Sequence, residues 1–585
     1  MESTVARPLL ALTNPSSHPG PRHRQRRARL LLLALTGGLL FLVGSSYVYF
    51  GPSAGLPVPH RWSPYYAPSQ RPIGGGNAPP PPHGHGGDWD HPQPPPPPDG
   101  HHSPLDADLP PSSSSYDDAT LKNLAQSSLT AFRAREPATL PAARALYTLK
   151  TGRVPPSGYD AFFAFAKERE CLVGAYEGVW RDFAPFWRME KGKKGWFRER
   201  VKAMEAKLAA DSHGVAALTV RTGRAHKPEQ GATYFDGDWE NTMNKFATHL
   251  PPMTVLINGR DEPRVLFDIG PLFDDPPALT GALTLADPTP FTLSPPNTTA
   301  FFSEPARRDV CRPPRGTGVA RDVSFLLSAS SAEFTTDLVP VLSMTKLADA
   351  STATTTEGGG SCFADVLMPG EFYYRNSWWA GKFERPNDVK WEDKKGVLYW
   401  RGKSNGGHIR GNNYLSFPRF RLIDLASRPE NRDKGLFDVR ITQWHEWHCT
   451  DNCDAAAIRA AYNITDESVP REEAYGYKYL LDVDGNSFSG RYLGLLRSGG
   501  LVFKSTAFAE FFTPWLVPYE HFIPVRPDLA DLPAKIEWAR ANDAEAHRIQ
   551  ETGRLFAEQV LTDAQNDCYW FAVLMEWGAL WGEDE

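Results

Sequence analysis

Residues 477–525 read YKYLLDVDGNSFSGRYLGLLRSGGLVFKSTAFAEFFTPWLVPYEHFIPV. Tyr477–Val483 reads as a largely apolar strand, with Asp482 inside it. Asp484-Gly485-Asn486-Ser487 is turn chemistry. Ser489–Ser498 predicts a helix and Leu501–Lys504 a further strand, followed by Phe508–Phe512 and Ile523–Val525. Strand, turn, helix and strand in succession make a βαβ unit, and so an α/β fold with a parallel, doubly wound sheet. Ligands of such sheets sit at the carboxyl ends of the strands. Backbone N–H groups at a helix start attract anions. Arg491, read in the first turn of that helix, adds a fork-shaped cation suited to phosphate. The pattern therefore suits a diphosphate, although a plain βαβ turn with a surface arginine reads the same way.

Upstream, Val397–Trp400 predicts a strand entering the loop Arg401–Gly411 (RGKSNGGHIRG), and Asp438–Thr442 predicts another strand. The loop lacks G-x-G-x-x-G and G-K-[ST], so neither a Rossmann dinucleotide site nor a nucleotide triphosphatase follows. A basic, glycine-rich loop after a strand still makes an anion cradle. Pro251–Ile257 (PPMTVLI) predicts a buried strand ending in Asn258-Gly259-Arg260-Asp261. A carboxylate there serves either as a general base or as an ordinary turn aspartate. Asp482 and Asp484 form a short D-x-D, a pattern that holds divalent metal in some nucleotide-sugar enzymes, but Asp484 also begins a turn. Helices are expected from near Ala119 and from Trp187 to Ala210, and a surface insertion from Leu347 to Ser361.

The N-terminal part has a different composition. Leu30–Phe50 contains no charge over 21 residues, enough to cross a bilayer, and follows Arg22, Arg24, Arg26, Arg27 and Arg29. That bias predicts a signal-anchor with a cytoplasmic tail and a luminal remainder; a cleaved signal peptide is the alternative. From Gly51 to Pro111, 19 of 61 residues are proline, the composition of a disordered spacer. Histidines in this stem, among them His83, His85 and His91, read as solvated linker residues or as a metal tract. The expected divisions are a tail at 1–29, the anchor at 30–50, the stem at 51–118, an N-terminal lobe at 119–387, a C-terminal lobe at 388–555 and a closing helix at 556–585. Net charge is −6, which gives no sign of nucleic-acid binding.

All six cysteines, Cys171, Cys311, Cys362, Cys449, Cys453 and Cys568, follow the anchor. An even count in an oxidising compartment reads as up to three disulfides, with fifteen connectivities open. The expected pairs are Cys171–Cys568, Cys311–Cys362 and Cys449–Cys453. His445 and His448 beside Cys449 and Cys453 offer a zinc reading, but their spacing differs from H-E-x-x-H. Asn297 and Asn463 begin N-glycosylation sequons.

The 477–525 run, together with WRGKSNGG at 400–407, MTVLINGRDEP at 253–263 and NDCYW at 566–570, resembles the capsule-associated-protein/Rumi-type glycosyltransferases, glycosyltransferase family 90. The resemblance implies a GT-B-like fold, two Rossmann-like lobes facing a cleft, and inverting transfer from a UDP-sugar. It implies Asp261 as catalytic base. It puts Arg401, Gly402, Ser404, Gly485, Ser487, Ser489, Arg491 and Glu510 on the donor side, and Trp379 and Gly381 in the acceptor cleft. It implies no required cofactor, and UDP leaving without a metal. The expectation is thus a type II membrane enzyme of the Golgi or endoplasmic reticulum. It would transfer xylose or glucose to a glycan or glycoprotein, with fungal character in the stem and insertion. Rival readings are a membrane-anchored carbohydrate-binding protein without catalysis and a metal-dependent transferase using Asp482 and Asp484. No nucleophile elbow or paired-carboxylate motif suggests a hydrolase.

Overall fold

The computed structural model describes residues 116–210, 214–229, 231–265, 338–347, 363–409, 411–446, 449 and 452–582. The expected anchor, the stem up to residue 115, Asn297, the Cys311–Cys362 pair and most of the insertion lie outside these residues. Among the described residues no helix is long and apolar enough to cross a membrane.

The described residues open with five helices: α1 (Asp118–Arg133), α2 (Leu140–Thr151), α3 (Tyr159–Glu168), α4 (Glu177–Gly192) and α5 (Trp196–Ala210). Asp117 caps α1, its carboxylate accepting from the Thr120 N–H at 2.7 Å. The helix expected over Trp187–Ala210 is instead the end of α4 and all of α5. Gly195, at φ +82°, turns the chain between them, a conformation that glycine adopts without a Cβ clash.

The first sheet contains β1 (Val215–Arg221), β2 (Arg224–His226), β3 (Met253–Asn258), β4 (Leu342–Ser343) and β6 (Val366–Leu367), with α6 (Asp236–Met243) between β2 and β3. Its order is β2-β1-β3-β4-β6. β1 pairs antiparallel with β2 and β3, and β3, β4 and β6 run parallel. Every residue of β3 is buried, which explains its unbroken apolar run. The short β5 (Lys346–Leu347) lies apart and pairs antiparallel with β11 (Phe508–Ala509). The strand expected over Phe508–Phe512 is confined to those two residues.

The second sheet is wholly parallel, in the order β12-β10-β9-β7-β8. Its strands are β7 (Lys395–Lys403), β8 (Phe437–Gln443), β9 (Tyr477–Val483), β10 (Leu501–Ser505) and β12 (Ile523–Val525). Helices α7 (Pro418–Ser427) and α8 (Pro429–Asp433) connect β7 to β8, α9 (Ala455–Ala461) lies between β8 and β9, and α10 (Tyr492–Arg497) between β9 and β10. The alternation expected from the sequence is therefore present, with β9 central. α10 is shorter than expected. Residues 485–491 stay in a turn, and Arg491 is the residue preceding the helix rather than part of its first turn. Six residues make a weak dipole, so anion attraction here falls mainly to the turn and the arginine.

Three helices close the chain: α11 (Leu532–Ala541), α12 (Asp543–Gln559) and α13 (Asp563–Trp581). α12 packs on α1, α10 and β10, while α13 packs on α3, α4, α5, α6 and β3. α13 is buried almost all round, as its apolar sequence requires. Its polar groups are matched: Glu576 accepts from the Tyr147 hydroxyl at 2.5 Å, Arg153 at 2.9 Å and the Trp187 indole at 2.9 Å. The Cys171–Cys568 disulfide fastens α13 to the helical layer, and Cys449–Cys453 closes a tight loop. Both match expected pairs, and the second removes its cysteines from any zinc set. Asn463 is exposed at φ +50° beside buried Ile464.

The two disulfides should differ in weight. Crosslinking residues 397 apart restricts the unfolded chain far more than crosslinking residues four apart. Replacing Cys171 and Cys568 by Ser is expected to lower unfolding free energy by up to about 5 kcal/mol, and replacing Cys449 and Cys453 by about 2 kcal/mol or less. Denaturant titration of both double variants checks the ranking.

Candidate active site

A cavity of about 510 Å³ opens at the carboxyl ends of β7, β8 and β9. This is where a parallel sheet presents its loops to a ligand. The turn after β3 supplies one wall, so residues of both sheets meet there.

Asp261 stands on that turn. Buried Asn258 fixes the turn, its Oδ1 accepting from the Arg260 N–H at 3.0 Å and its Nδ2 donating to the Glu262 carbonyl at 2.7 Å. Burial raises the Asp261 carboxyl above the ordinary aspartate range. The neighbouring Asn486 side chain and Arg260 guanidinium pull the other way without reversing the shift. A carboxylate so balanced suits proton abstraction.

Gly485, Asn486, Ser489 and Arg491 line the opposite wall. The Gly485 N–H donates to the Ser487 carbonyl at 2.8 Å, closing the turn. Arg491 Nη1 donates to the Arg401 carbonyl at 2.8 Å, while its Nη2 has no protein partner. Ser489 Oγ and Asn405 Oδ1 are likewise unpartnered. Buried polar atoms are ordinarily satisfied, so these three mark where a polar ligand would bond. Gly381 packs against Arg491: a Cβ at Gly381 would lie 2.8 Å from the Arg491 Cα. Any larger residue there would shift the arginine.

Trp379 and Gly381 both line the cavity, as do Arg401 and Gly402. The Arg401 charge is engaged elsewhere, donating to the Asp438 carboxylate at 2.6 Å and carbonyl at 2.7 Å. Its contribution is the wall and the carbonyl that holds Arg491. Ser404 does not line the cavity: it is buried, and its Oγ accepts from the His445 N–H at 2.9 Å. Ser487 is also off the lining and buried in the turn. Glu510, expected on the nucleotide side, lies in the core. Lys504 Nζ bonds Glu510 at 3.3 Å and Asp482 at 3.0 Å. Burial raises the Glu510 carboxyl well above its ordinary value.

The D-x-D pair is turned away from the cavity. Asp482 faces Lys504, and Asp484 Oδ2 accepts from the Ala507 N–H at 2.8 Å. Burial pushes the Asp484 carboxyl up to about 7, against the Ala507 N–H, the Thr506 hydroxyl and Lys504. Among the described residues no cluster of three His, Cys, Asp or Glu side chains could hold a metal ion.

Of the polar cavity residues, Asn405 and Asn486 were not singled out from the sequence, and Arg419 was noted there without an assigned role. Arg419 donates to the Asp484 carbonyl at 3.0 Å and the Lys403 carbonyl at 2.9 Å, tying two loops together. Burial, with Arg491 nearby, lowers its guanidinium to about 9. It lies in the first turn of α7, outside the basic loop that the sequence singles out. Asn486 was hidden because asparagine is expected in such a turn anyway.

Asp484 sets a pH dependence. Its folded value lies above the ordinary 3.8, so its contribution is present below about pH 4 and lost as pH rises through about 7. Asp484→Asn is expected to narrow the difference in melting temperature between pH 5 and pH 8 relative to the unsubstituted protein. The stability at stake has an upper bound of about 4 kcal/mol. An unchanged difference would contradict this account of the carboxyl.

Residues 377–582 match the family model described as Glycosyl transferase family 90. The chain is 36% identical over 180 residues to protein O-glucosyltransferase 3 of Homo sapiens, which covers 30% of this chain and 32% of that one. It is 28% identical over 191 residues to protein O-glucosyltransferase 2 of Danio rerio, 32% and 34% of the two chains. It is also 28% identical over 179 residues to protein O-glucosyltransferase 1 of Homo sapiens, 30% and 43%. The matches thus span about a third to under a half of these relatives. Asp261 precedes the segment matched by the family model.

Proposed function

We propose, for a chain whose residues 377–582 belong to glycosyl transferase family 90, that it is an inverting UDP-sugar-dependent glycosyltransferase with a GT-B-like pair of lobes. The observation that carries this reading is that Asp261 and Arg491, from different sheets, line one cavity. A base and a phosphate-suited cation facing a shared space are what glycosyl transfer from a nucleoside diphosphate needs.

In this reading the donor diphosphate lies on the 485–491 turn, where Ser489 Oγ and Arg491 Nη2 are open to bond it. An acceptor hydroxyl enters past Trp379 toward Asp261. Its oxygen attacks the anomeric carbon from the face opposite the diphosphate. The new carbon–oxygen bond forms as the bond to the diphosphate breaks, and that electron pair leaves with UDP. Asp261 takes the hydroxyl proton. Arg491 stabilises the charge gathering on UDP. The inward contacts of Asp482 and Asp484 favour this route over one through a divalent ion at that pair.

The names of the relatives favour glucose, with xylose the second candidate. A luminal enzyme of the Golgi or endoplasmic reticulum, held by the 30–50 segment and acting on a glycan or glycoprotein, fits the two disulfides and the exposed Asn463 sequon.

A UDP-release assay with a panel of UDP-sugars and oligosaccharide and glycoprotein acceptors tests the reading. One donor is expected to support release, and EDTA should leave the rate unchanged. Asp261→Asn is expected to cut the rate by about 10²-fold or more while UDP still binds. Release in the variant at the original rate would remove Asp261 from the mechanism. Loss of release in EDTA, restored by a divalent ion, would contradict the metal-free route.

A further inference from the structure

We propose that Asp365 is the positioning residue for Asp261, acting through Ser343 and Asn258 on one side of the base's loop and through the backbone on the other; this rests on the reading of Asp261 as the base. Asp261 lies in the short loop between the end of β3 and residues 264–265, and both ends of that loop are tied to one carboxylate. Asp365 Oδ1 accepts from the Arg264 N–H at 2.8 Å, and Oδ2 from the Val265 N–H at 2.9 Å. Oδ1 also accepts from the Ser343 hydroxyl at 2.5 Å. Ser343 Oγ in turn accepts from Asn258 Nδ2 at 3.2 Å. Asn258 is the residue that holds the Arg260 N–H and the Glu262 carbonyl, one on each side of Asp261. Asn258, Ser343 and Asp365 are all buried.

The sheet brings these residues together although Asp365 stands 101 positions beyond Arg264. β3, β4 and β6 run parallel, with Ile257 beside Leu342 and Leu342 beside Val366. The carboxyl ends of β3 and β4 therefore lie next to the residue that enters β6. Asp365 is itself held in place. Its carbonyl accepts from Lys346 Nζ at 3.2 Å, and Lys346 Nζ bonds Asp182 Oδ1 at 2.7 Å. Asp182, on α4, also accepts from the Leu367 N–H at 3.1 Å. The Ala364 N–H adds a bond to the Val265 carbonyl at 2.9 Å. A carboxylate fixed in this way is a rigid support for the loop in front of it. Its loss would leave two buried backbone N–H groups and a hydroxyl in need of new partners, and the loop would move to find them. Small errors in the placement of a reacting group are costly in rate. Neither Asp365 nor Ser343 lines the cavity, so their effect on the reaction passes through Asp261 and not through donor or acceptor.

The test is UDP release by the full-length protein, compared with Ser343→Ala, Asp365→Asn and Asp365→Ala, each alone and combined with Asp261→Asn. Ser343→Ala removes one hydroxyl and keeps the proposal testable should the Asp365 variants fail to fold. Well below the melting temperature, kcat is expected to fall about 10-fold in Ser343→Ala and about 100-fold in Asp365→Ala. Asp365→Asn should lie between them, because its amide oxygen still accepts on one side. Donor KM, and UDP affinity measured by calorimetric titration, should stay within about twofold, since no donor contact is touched. In the Asp261→Asn background the same substitutions should change the rate by less than about twofold, because the group they position is gone. A lowered melting temperature with unchanged kcat, or an equal loss of rate in both backgrounds, would overturn the proposal and leave the network a role in folding alone. Unsubstituted protein that releases no UDP with any donor and acceptor, or Asp261→Asn at the original rate, would overturn the functional reading, and the proposal with it.

Discussion

Parallel pairing of β9 between β7 and β10 is the constraint on which the site depends. The register sets Leu398 beside Tyr479 and Val502 beside Leu480, so the three strands finish at the same edge. The loops leaving that edge are the glycine-rich segment after β7 and the 485–491 turn after β9. Their proximity lets Arg491 bond the Arg401 carbonyl. A slip of one residue would invert the faces of β9 and separate the two loops. The apolar character of β9, buried on both sides, makes that slip costly.

Charge is placed beneath this edge with equal care. Lys504 lies between Asp482 and Glu510 in the core, with its ammonium 3.9 Å from the centre of the Tyr492 ring. Burial raises the Glu510 carboxyl well above its ordinary value. Buried pairs of this kind add little net stability, but removing one partner is destabilising. Their effect here is to fix strand ends that carry the turn. The same pairing explains why a D-x-D in the sequence does not face the cavity.

Much of the fold was legible because its strands are simple. Tyr477–Val483 and Ile523–Val525 have the bounds their composition suggests, and the helix after Asp117 begins at a cap. The break between α4 and α5 was obscured by a continuous helical periodicity across Lys193–Gly195. At the site, glycines and Arg491 were readable because turn geometry and anion chemistry leave sequence marks. Ser404, Ser487 and Glu510 carry the same polar chemistry but point into the protein, and sequence gives no direction for a side chain. Arg419 and Asn486 act through contacts with residues far along the chain, and no local pattern encodes them. The meeting of Asp261 with the 485–491 turn is tertiary: it requires β3 and β9, in separate sheets, to end facing one space.

The most direct measurement of the central claim is a crystal structure of the protein with UDP. The account predicts the diphosphate on the 485–491 turn, with oxygens within hydrogen-bond distance of Arg491 Nη2 and Ser489 Oγ. It predicts the terminal phosphate on the side facing Asp261. UDP bound elsewhere, or a diphosphate held through a metal on Asp482 and Asp484, would contradict it.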